Sequence, residues 1–477
     1  MFTKVRKVLI SFMLTYNLGE ARSDSLYETL YQYLKSDIIT GVLKPGDRLP
    51  SKRPFAKNLG VSVITIENAY AQLVAEGYIY SLPKRGFYVS DFHQLTGKAK
   101  RPSKEQVLLT GGETSYLADF AGNQTDTDLF PFTTWTRTMR EVLNEKQKQL
   151  MTNPPCGGIM ELRENIAAYL HDFRGMQVDA SQIIVGAGTE YLYGLLIQLL
   201  GTETVYGLEN PGYPKTAQIC NSLHVPYEYI DIDAYGVSAA ALEEKKVDVV
   251  HISPSHHFPT GIVMPISRRY ELLGWAAKKD GRFIIEDDYD SELRLTGKPI
   301  PTLQSIDVSD KVIYLNTFSK TLSSTVRISY MVLPPALCET FYKELSFYTC
   351  TVSNFEQYAL SKFIENGSFE KHLNRLRNAY QKKRDTILSS FQHSKLNRYI
   401  RIREEEAGVH FLMQVESKKT EEEIIKDALA KGIKLISLSS YYQGKRKTQE
   451  TVFVMNYSSI EVGKMEEITE RLYECVR

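Results

Sequence analysis

Val312-Ile-Tyr-Leu315 runs straight into Asn316-Thr317-Phe318-Ser319-Lys320, and Arg327 follows seven residues after the lysine. The first four residues are apolar and β-favouring, and the next five are mostly small, polar or cationic. The stretch therefore reads as a buried strand with a chemically equipped carboxyl end. Working outward, the same grammar repeats. Gln182-Ile-Ile-Val185, Val205-Tyr206, Val247-Asp-Val-Val-His-Ile252, Arg282-Phe-Ile-Ile285 and Ile328-Ser-Tyr-Met-Val332 are short apolar runs separated by helical stretches. Strands alternating with helices predict a wound, largely parallel α/β sheet, whose ligands gather at the carboxyl ends of the strands.

Those ends hold the residues with chemistry. Gly186-Ala187-Gly188-Thr189 precedes a helix beginning at Glu190, and a small-residue turn at a helix N-terminus can cradle a phosphate. Glu209-Asn210-Pro211-Gly212-Tyr213 is a turn that leaves an aromatic ring at a strand end. Glu286-Asp287-Asp288-Tyr289-Asp290 puts several carboxylates and a phenol at the sheet edge, for which a metal site or a solvated acidic loop would be the plainer readings. In combination these parts describe one ligand. Lys320, its amine pKa lowered by nearby Arg327, would form a Schiff base with an aldehyde. Asp287 would pair with a protonated pyridine nitrogen, and Tyr289 would hydrogen-bond a ring hydroxyl. Tyr213 would stack on the ring, while Gly188, Thr189, Thr317, Ser319 and Arg327 would hold a phosphate. Aldehyde, pyridine, hydroxyl and phosphate on one molecule mean pyridoxal 5′-phosphate (PLP).

The first ninety residues differ in kind. They carry 12 Lys/Arg against 7 Asp/Glu, although the whole chain is nearly neutral with 58 against 57, so the remainder is mildly acidic. A basic end suggests a polyanion partner. Ser25-Leu-Tyr-Glu28 fits a capping box, and Leu26, Leu30, Leu34 and Ile38 predict an amphipathic helix. Ser51 is expected to cap a second short helix that ends at Gly60. Ser62 is expected to cap a third, with Ile66, Ala69, Tyr70 and Leu73 facing inward. Two helices joined by so short a turn form a helix-turn-helix. Gly77-Tyr-Ile-Tyr80 and Gly86-Phe-Tyr-Val89 add a β-wing with Pro83-Lys84-Arg85 at its tip. On double-stranded DNA, Ser51, Lys52 and Arg53 would meet a phosphate, Ser62, Val63, Thr65 and Asn68 would face the major groove, and Lys84 and Arg85 would reach the flanking backbone.

Gly41-x-Leu43-x-Pro45-Gly46-Asp47-x-Leu49-Pro50-Ser51-x-Arg53, continued by Leu59-Gly60-Val61-Ser62, resembles the GntR-type winged helix. Cys156-Gly157-Gly158, Leu162-Arg-Glu-Asn-Ile-Ala167, Asn210-Pro-Gly-Tyr213, Phe258-Pro-Thr-Gly261, Glu286-Asp-Asp-Tyr289 and Ser319-Lys320-x-Leu322 resemble the fold-type I aminotransferases. The combination is similar to the MocR subgroup of bacterial GntR-type regulators. That resemblance implies an N-terminal winged helix-turn-helix (α+β) over 1–91 and a flexible basic linker over 92–115. It implies an α/β fold-type I aminotransferase-like domain over 116–477, with a smaller C-terminal α+β subdomain from about 335. It also implies a homodimer that binds PLP at Lys320 and promoter DNA through the winged helices.

Three departures narrow the expectation. The family usually has arginine after the Val-Ser pair, where Val63 stands. Aminotransferases grip a substrate carboxylate with an arginine in the small domain, and in the strand Thr451–Ser459 that place reads as Ser458. GABA-responsive members carry an arginine two residues after the stacking tyrosine, where this chain has Lys215. Lysine for arginine is not conservative at a bidentate site. A regulator sensing PLP itself, as in the vitamin B6 branch of the subgroup, is therefore favoured. A GABA- or amino-acid-responsive regulator and an active aminotransferase are the alternatives.

Composition agrees. The 477 residues, 43 % of them apolar, fit roughly three compact units at ~150 residues each. No apolar run approaches the ~18 residues of a membrane span, and Met1–Leu14 imitates a signal peptide only faintly, so a cytoplasmic protein is expected, with Met13 an alternative start. Five scattered cysteines argue against a disulfide framework or structural zinc. His256-His257 suggests no metal, because adjacent side chains diverge.

Overall fold

The structure, a computed structural model, describes residues 14–16, 18, 25–91, 116–122, 125–295, 300–404, 408–444 and 450–477. The connector expected at 92–115 and the start 1–13 lie outside the described residues. The chain divides into two compact units, 1–112 and 113–477. No helix among the described residues is long and apolar enough to cross a membrane.

In the first unit, α1 (Leu26–Ile39), α2 (Lys52–Leu59) and α3 (Val63–Ala75) precede a hairpin of β1 (Ile79–Leu82) and β2 (Gly86–Val89), paired antiparallel with Ile79 opposite Val89. Leu30, Leu34 and Ile38 of α1 are buried as the spacing requires. Leu26 is not. It sits at the first helical position, beyond the reach of the core, and Tyr31 is buried in addition. Ser25 and Ser51 occupy N-cap positions without side-chain cap bonds, so the expected capping box does not form. The Ser62 hydroxyl does accept from the Thr65 N–H, at 3.1 Å. Gly60, at φ 67°, supplies the left-handed residue that ends α2 and turns the chain into α3. All four residues expected inside α3 are buried, and the Tyr70 hydroxyl donates to the Pro50 carbonyl at 2.9 Å.

The second unit begins with β3 (Ala118–Asp119). Seven strands then form its main sheet: β4 (Ile183–Gly186), β5 (Tyr206–Asn210), β6 (Tyr227–Asp231), β7 (Val249–Ile252), β8 (Phe283–Asp287), β9 (Val312–Thr317) and β10 (Ser329–Val332). Their spatial order is β4-β10-β9-β8-β7-β5-β6. Only β10 runs antiparallel to its neighbours, so the sheet is mixed but largely parallel. Every apolar run of the sequence became one of these strands. The strand not anticipated is β6. Its Tyr-Glu-Tyr-Ile-Asp sequence lies at the sheet edge half-buried, and so lacks a continuous apolar run. A smaller antiparallel sheet joins β11 (Ile400–Arg403), β12 (His410–Val415) and β14 (Thr451–Asn456), while β13 (Ile433–Lys434) pairs with β3. This is the fold-type I aminotransferase architecture with a C-terminal subdomain, preceded by a winged helix-turn-helix.

Candidate functional site

The carboxyl ends of β8 and β9 and the N-terminus of the helix Thr189–Leu200 converge on one cavity of about 160 Å³. Thr189, Tyr213, Lys215, Asp287, Tyr289, Thr317, Ser319, Lys320 and Arg327 all line it, joined by Glu190, Ser253 and Phe258. Residues from positions 189 to 327 meet there because parallel crossovers return every strand end to the same edge.

Each wall has its own character. Lys320 follows β9, and burial pushes its amine down to about 8, against an opposing pull from Asp290. Arg327 plays no part in that shift, contrary to the expectation from sequence. Its guanidinium turns to Glu190 at 2.8 Å and is half exposed. Of the acidic cluster, only Asp287 lines the cavity. Glu286 accepts from the Leu303 and Gln304 N–H groups at 2.9 and 3.0 Å. Asp288 pairs with Arg174 at 2.6 Å, and Asp290 with His256 at 2.8 Å. These three serve the wall behind the cavity, and no solvated acidic loop results. The Asp287 Oδ2 lies 3.5 Å from His251 Nε2, whereas its Oδ1 is buried and has no hydrogen-bond partner among the described residues. A buried carboxylate oxygen without a donor is costly, and a protonated ring nitrogen would satisfy it.

The opposite end suits an anion. Thr317 Oγ1 donates to Ser319 Oγ at 2.9 Å and accepts from Ser329 Oγ at 2.8 Å, which gathers three hydroxyls at the ends of β9 and β10. Ser329 was not anticipated, since nothing in a serine set within an apolar run signals a polar neighbour twelve residues away. Gly188, at φ 103°, packs so closely that a Cβ there would fall 2.1 Å from Arg327 Nη2. That atom is the end of a flexible side chain, so it is the positive φ that calls for glycine in the cradle. The Tyr289 hydroxyl lies 3.3 Å from His256 Nδ1. Tyr213 is 43 % exposed at the mouth, edge-on to Phe258. Donor, acceptor, amine and anion cradle thus fit the polar groups of PLP.

The comparisons agree with this geometry. Residues 117–470 match the family "Aminotransferase class I and II", and residues 26–89 match "Bacterial regulatory proteins, gntR family". The chain is 39 % identical over 419 residues to the uncharacterized HTH-type transcriptional regulator YdeL of Bacillus subtilis, covering 88 % of this chain and 90 % of that protein. The chain belongs to the MocR type of GntR-family transcriptional regulators. It is also 29 % identical to the pyridoxine biosynthesis regulator PdxR of Corynebacterium glutamicum, over 90 % of this chain and 91 % of that one. Among solved structures, a multiple substrate aminotransferase from Thermococcus profundus superposes with a TM-score of 0.67 at 24 % identity, covering 76 % and 92 % of the two chains.

Two expected positions of this MocR-type chain stand differently in the structure. Lys215 lines the cavity but pairs with Glu190 at 3.3 Å. Ser458 is absent from the cavity wall. Its hydroxyl donates to Asn456 Oδ1 at 2.7 Å, and its carbonyl accepts from Lys383 at 2.7 Å. The β14 residues that pack with the cavity residue Phe258 are Val452 and Val454, in an apolar cluster with Leu412 and Tyr441. His256 and His257 diverge as expected, one to Asp290 and the other to Thr260 Oγ1 at 2.6 Å. No metal-sized group of ligands occurs among the described residues.

In the winged helix, Arg53, Lys84 and Arg85 are exposed, with Lys84 at φ 59° on the wing tip. Lys52 is drawn aside by Glu67 at 2.5 Å. Arg53→Ala is therefore expected to weaken binding across DNA sequences and lower the salt dependence by about one unit, whereas Lys52→Ala lowers it less. Affinity measured at several salt concentrations checks both.

Proposed function

We propose that this regulator senses PLP, with Lys320 as the point of attachment, and that occupancy alters how a homodimer binds promoters of vitamin B6 metabolism. When bound, PLP supplies an aldehyde for the amine and an electron-withdrawing ring. Lys320 presents a far larger neutral fraction near physiological pH than an ordinary lysine, because burial lowers its pKa to about 8. Asp287 Oδ1 accepts from the ring nitrogen, Tyr289 meets the ring hydroxyl, and Tyr213 covers a ring face. The Gly188–Thr189 turn, Thr317, Ser319 and Arg327 hold the phosphate. The similarity to PdxR supports the same reading.

One observation favours PLP alone over an amino-acid effector: Glu190 already holds Lys215, the cation expected to meet an effector carboxylate. It touches Lys215 through one oxygen and Arg327 through the other. An incoming carboxylate must displace it, and the β14 side chains clustered beside Phe258 are the apolar Val452 and Val454. Glu190→Gln is accordingly expected to tighten binding of GABA by roughly two- to fivefold, the scale of a half-exposed ion pair. Calorimetric titration of GABA into wild type and variant reads it, and tight wild-type binding of GABA would favour the amino-acid-responsive alternative.

The principal test is a gel shift of the cognate promoter with and without PLP. Binding linkage is reciprocal, so any factor by which PLP changes DNA affinity must reappear as the factor by which DNA changes PLP affinity. Identical shifts in both conditions would refute the sensor. Measured transamination turnover would replace it with the enzyme reading.

A further inference from the structure

α3 spans thirteen residues and contains no lysine or arginine. Its buried stripe is Ile66, Ala69, Tyr70 and Leu73. Opposite that stripe, Ile64, Asn68 and Ala71 share one exposed face at helical spacing, with Val63 beside them at the first helical position. Ile64 is 66 % exposed and Val63 40 %. Two large β-branched side chains thus project into solvent from the end of the helix that would enter a groove first.

The hydroxyls nearby are committed elsewhere. Ser62 Oγ and Thr65 Oγ1 hydrogen-bond each other at 2.8 Å, and Ser62 also caps the helix. Glu67 pairs with Lys52 at 2.5 Å, which leaves Asn68 as the amide reader nearest the helix start. Guanine shows two acceptors in the major groove and asks for a strong donor, typically arginine. Thymine shows a methyl group, and adenine pairs in bidentate fashion with an amide. We infer that α3 reads thymine methyls through Val63 and Ile64 and an adenine through Asn68, so the half-site under its N-terminus is built of A·T pairs. Arg53, Lys84 and Arg85 of the same unit supply the cationic groups that hold the backbone. The inference rests on the operator-binding role of the winged helix and is independent of PLP.

The test begins with selection of bound duplexes from a random library by the full chain. The selected duplex is then remade with deoxyuridine for thymine, which removes only the C5 methyl. An A·T core is expected, with affinity falling about fourfold for each contacted methyl. In Ile64→Ala and Val63→Ala that loss should shrink. Both substitutions lie on the solvent face, and the deoxyuridine comparison on wild type needs no variant at all. A core of G·C pairs, or equal affinity for the two duplexes, would overturn the inference. Failure to select any duplex would instead remove the operator-binding role on which it rests.

Discussion

Lys320→Ala is expected to abolish retention of PLP and the visible absorbance that accompanies it. The other cavity residues would remain, but they offer only hydrogen bonds and ion pairs to a ligand that the proposed site would hold covalently. Dialysis, absorbance titration and calorimetry should all report the loss. So should thermal stability: a ligand at a hundredfold excess over its Kd stabilises by about 2.7 kcal/mol, an increment the variant should lack. The pH dependence of the wild type adds a second signature. The ordinary lysine amine titrates near 10.5, and burial brings Lys320 to about 8. Only the neutral amine attacks an aldehyde, so the rate of PLP uptake should rise with pH and level off above about 8 rather than above 10. The stability linkage has the same direction. A lysine with a depressed folded pKa penalises folding once the unfolded chain protonates. This contribution is absent above about 10.5 and grows as pH falls towards 8. Uptake that is flat in pH, or undiminished in the variant, would displace Lys320 from the site.

Much of this architecture was legible because its signals are local. The α3 stripe needs only helical spacing, and strands buried on both faces read as continuous apolar runs. What failed was non-local or positional. Ser25 and Ser51 have the right residue type at the right place, yet their hydroxyls make no cap bond. The acidic run at 286–290 reads as one cluster, but its carboxylates turn to different partners, and of them only Asp287 reaches the cavity. Glu190 and Arg327 are 137 residues apart, so no spacing could announce their contact. Ser458 was misplaced for a related reason. It lies two residues beyond the end of β14, whereas Val452 and Val454, inside the strand, belong to the cluster against which Phe258 packs.

Arg174→Met is expected to be the most damaging substitution away from the cavity, costing about 3–5 kcal/mol. The guanidinium ends the helix Met160–Arg174 and donates to Asp288 at 2.6 Å and Ser255 at 3.2 Å, with both charged side chains almost wholly buried. Without it, Asp288 keeps only the Tyr314 hydroxyl, at 2.7 Å, as a side-chain donor. Its surroundings are already crowded with carboxylates. Burial, with Asp288 adding to it, raises both Glu286 and Glu292 to about 7. Arg174 pulls Glu292 down, so loss of the arginine should raise Glu292 further. A carboxyl whose folded pKa is raised contributes stability at low pH and loses it as pH climbs through the folded value. The deficit of the variant should therefore be small at pH 5 and large at pH 8, the reverse of a surface ion pair between a carboxylate and a lysine. Pairing the change with Asp288→Asn removes the stranded charge and should recover most of the loss, because the damage comes from an uncompensated ion rather than from a missing attraction. Urea denaturation of the full chain at the two pH values, followed through the transition of residues 113–477, reads both effects. Since Asp288 adjoins Asp287 and its N–H donates to the Leu315 carbonyl at 2.9 Å, tying β8 to β9, the same variant should also bind PLP more weakly. A variant as stable at pH 8 as at pH 5 would show that Asp288 finds another donor, and the wall behind the cavity would then owe its rigidity to packing alone.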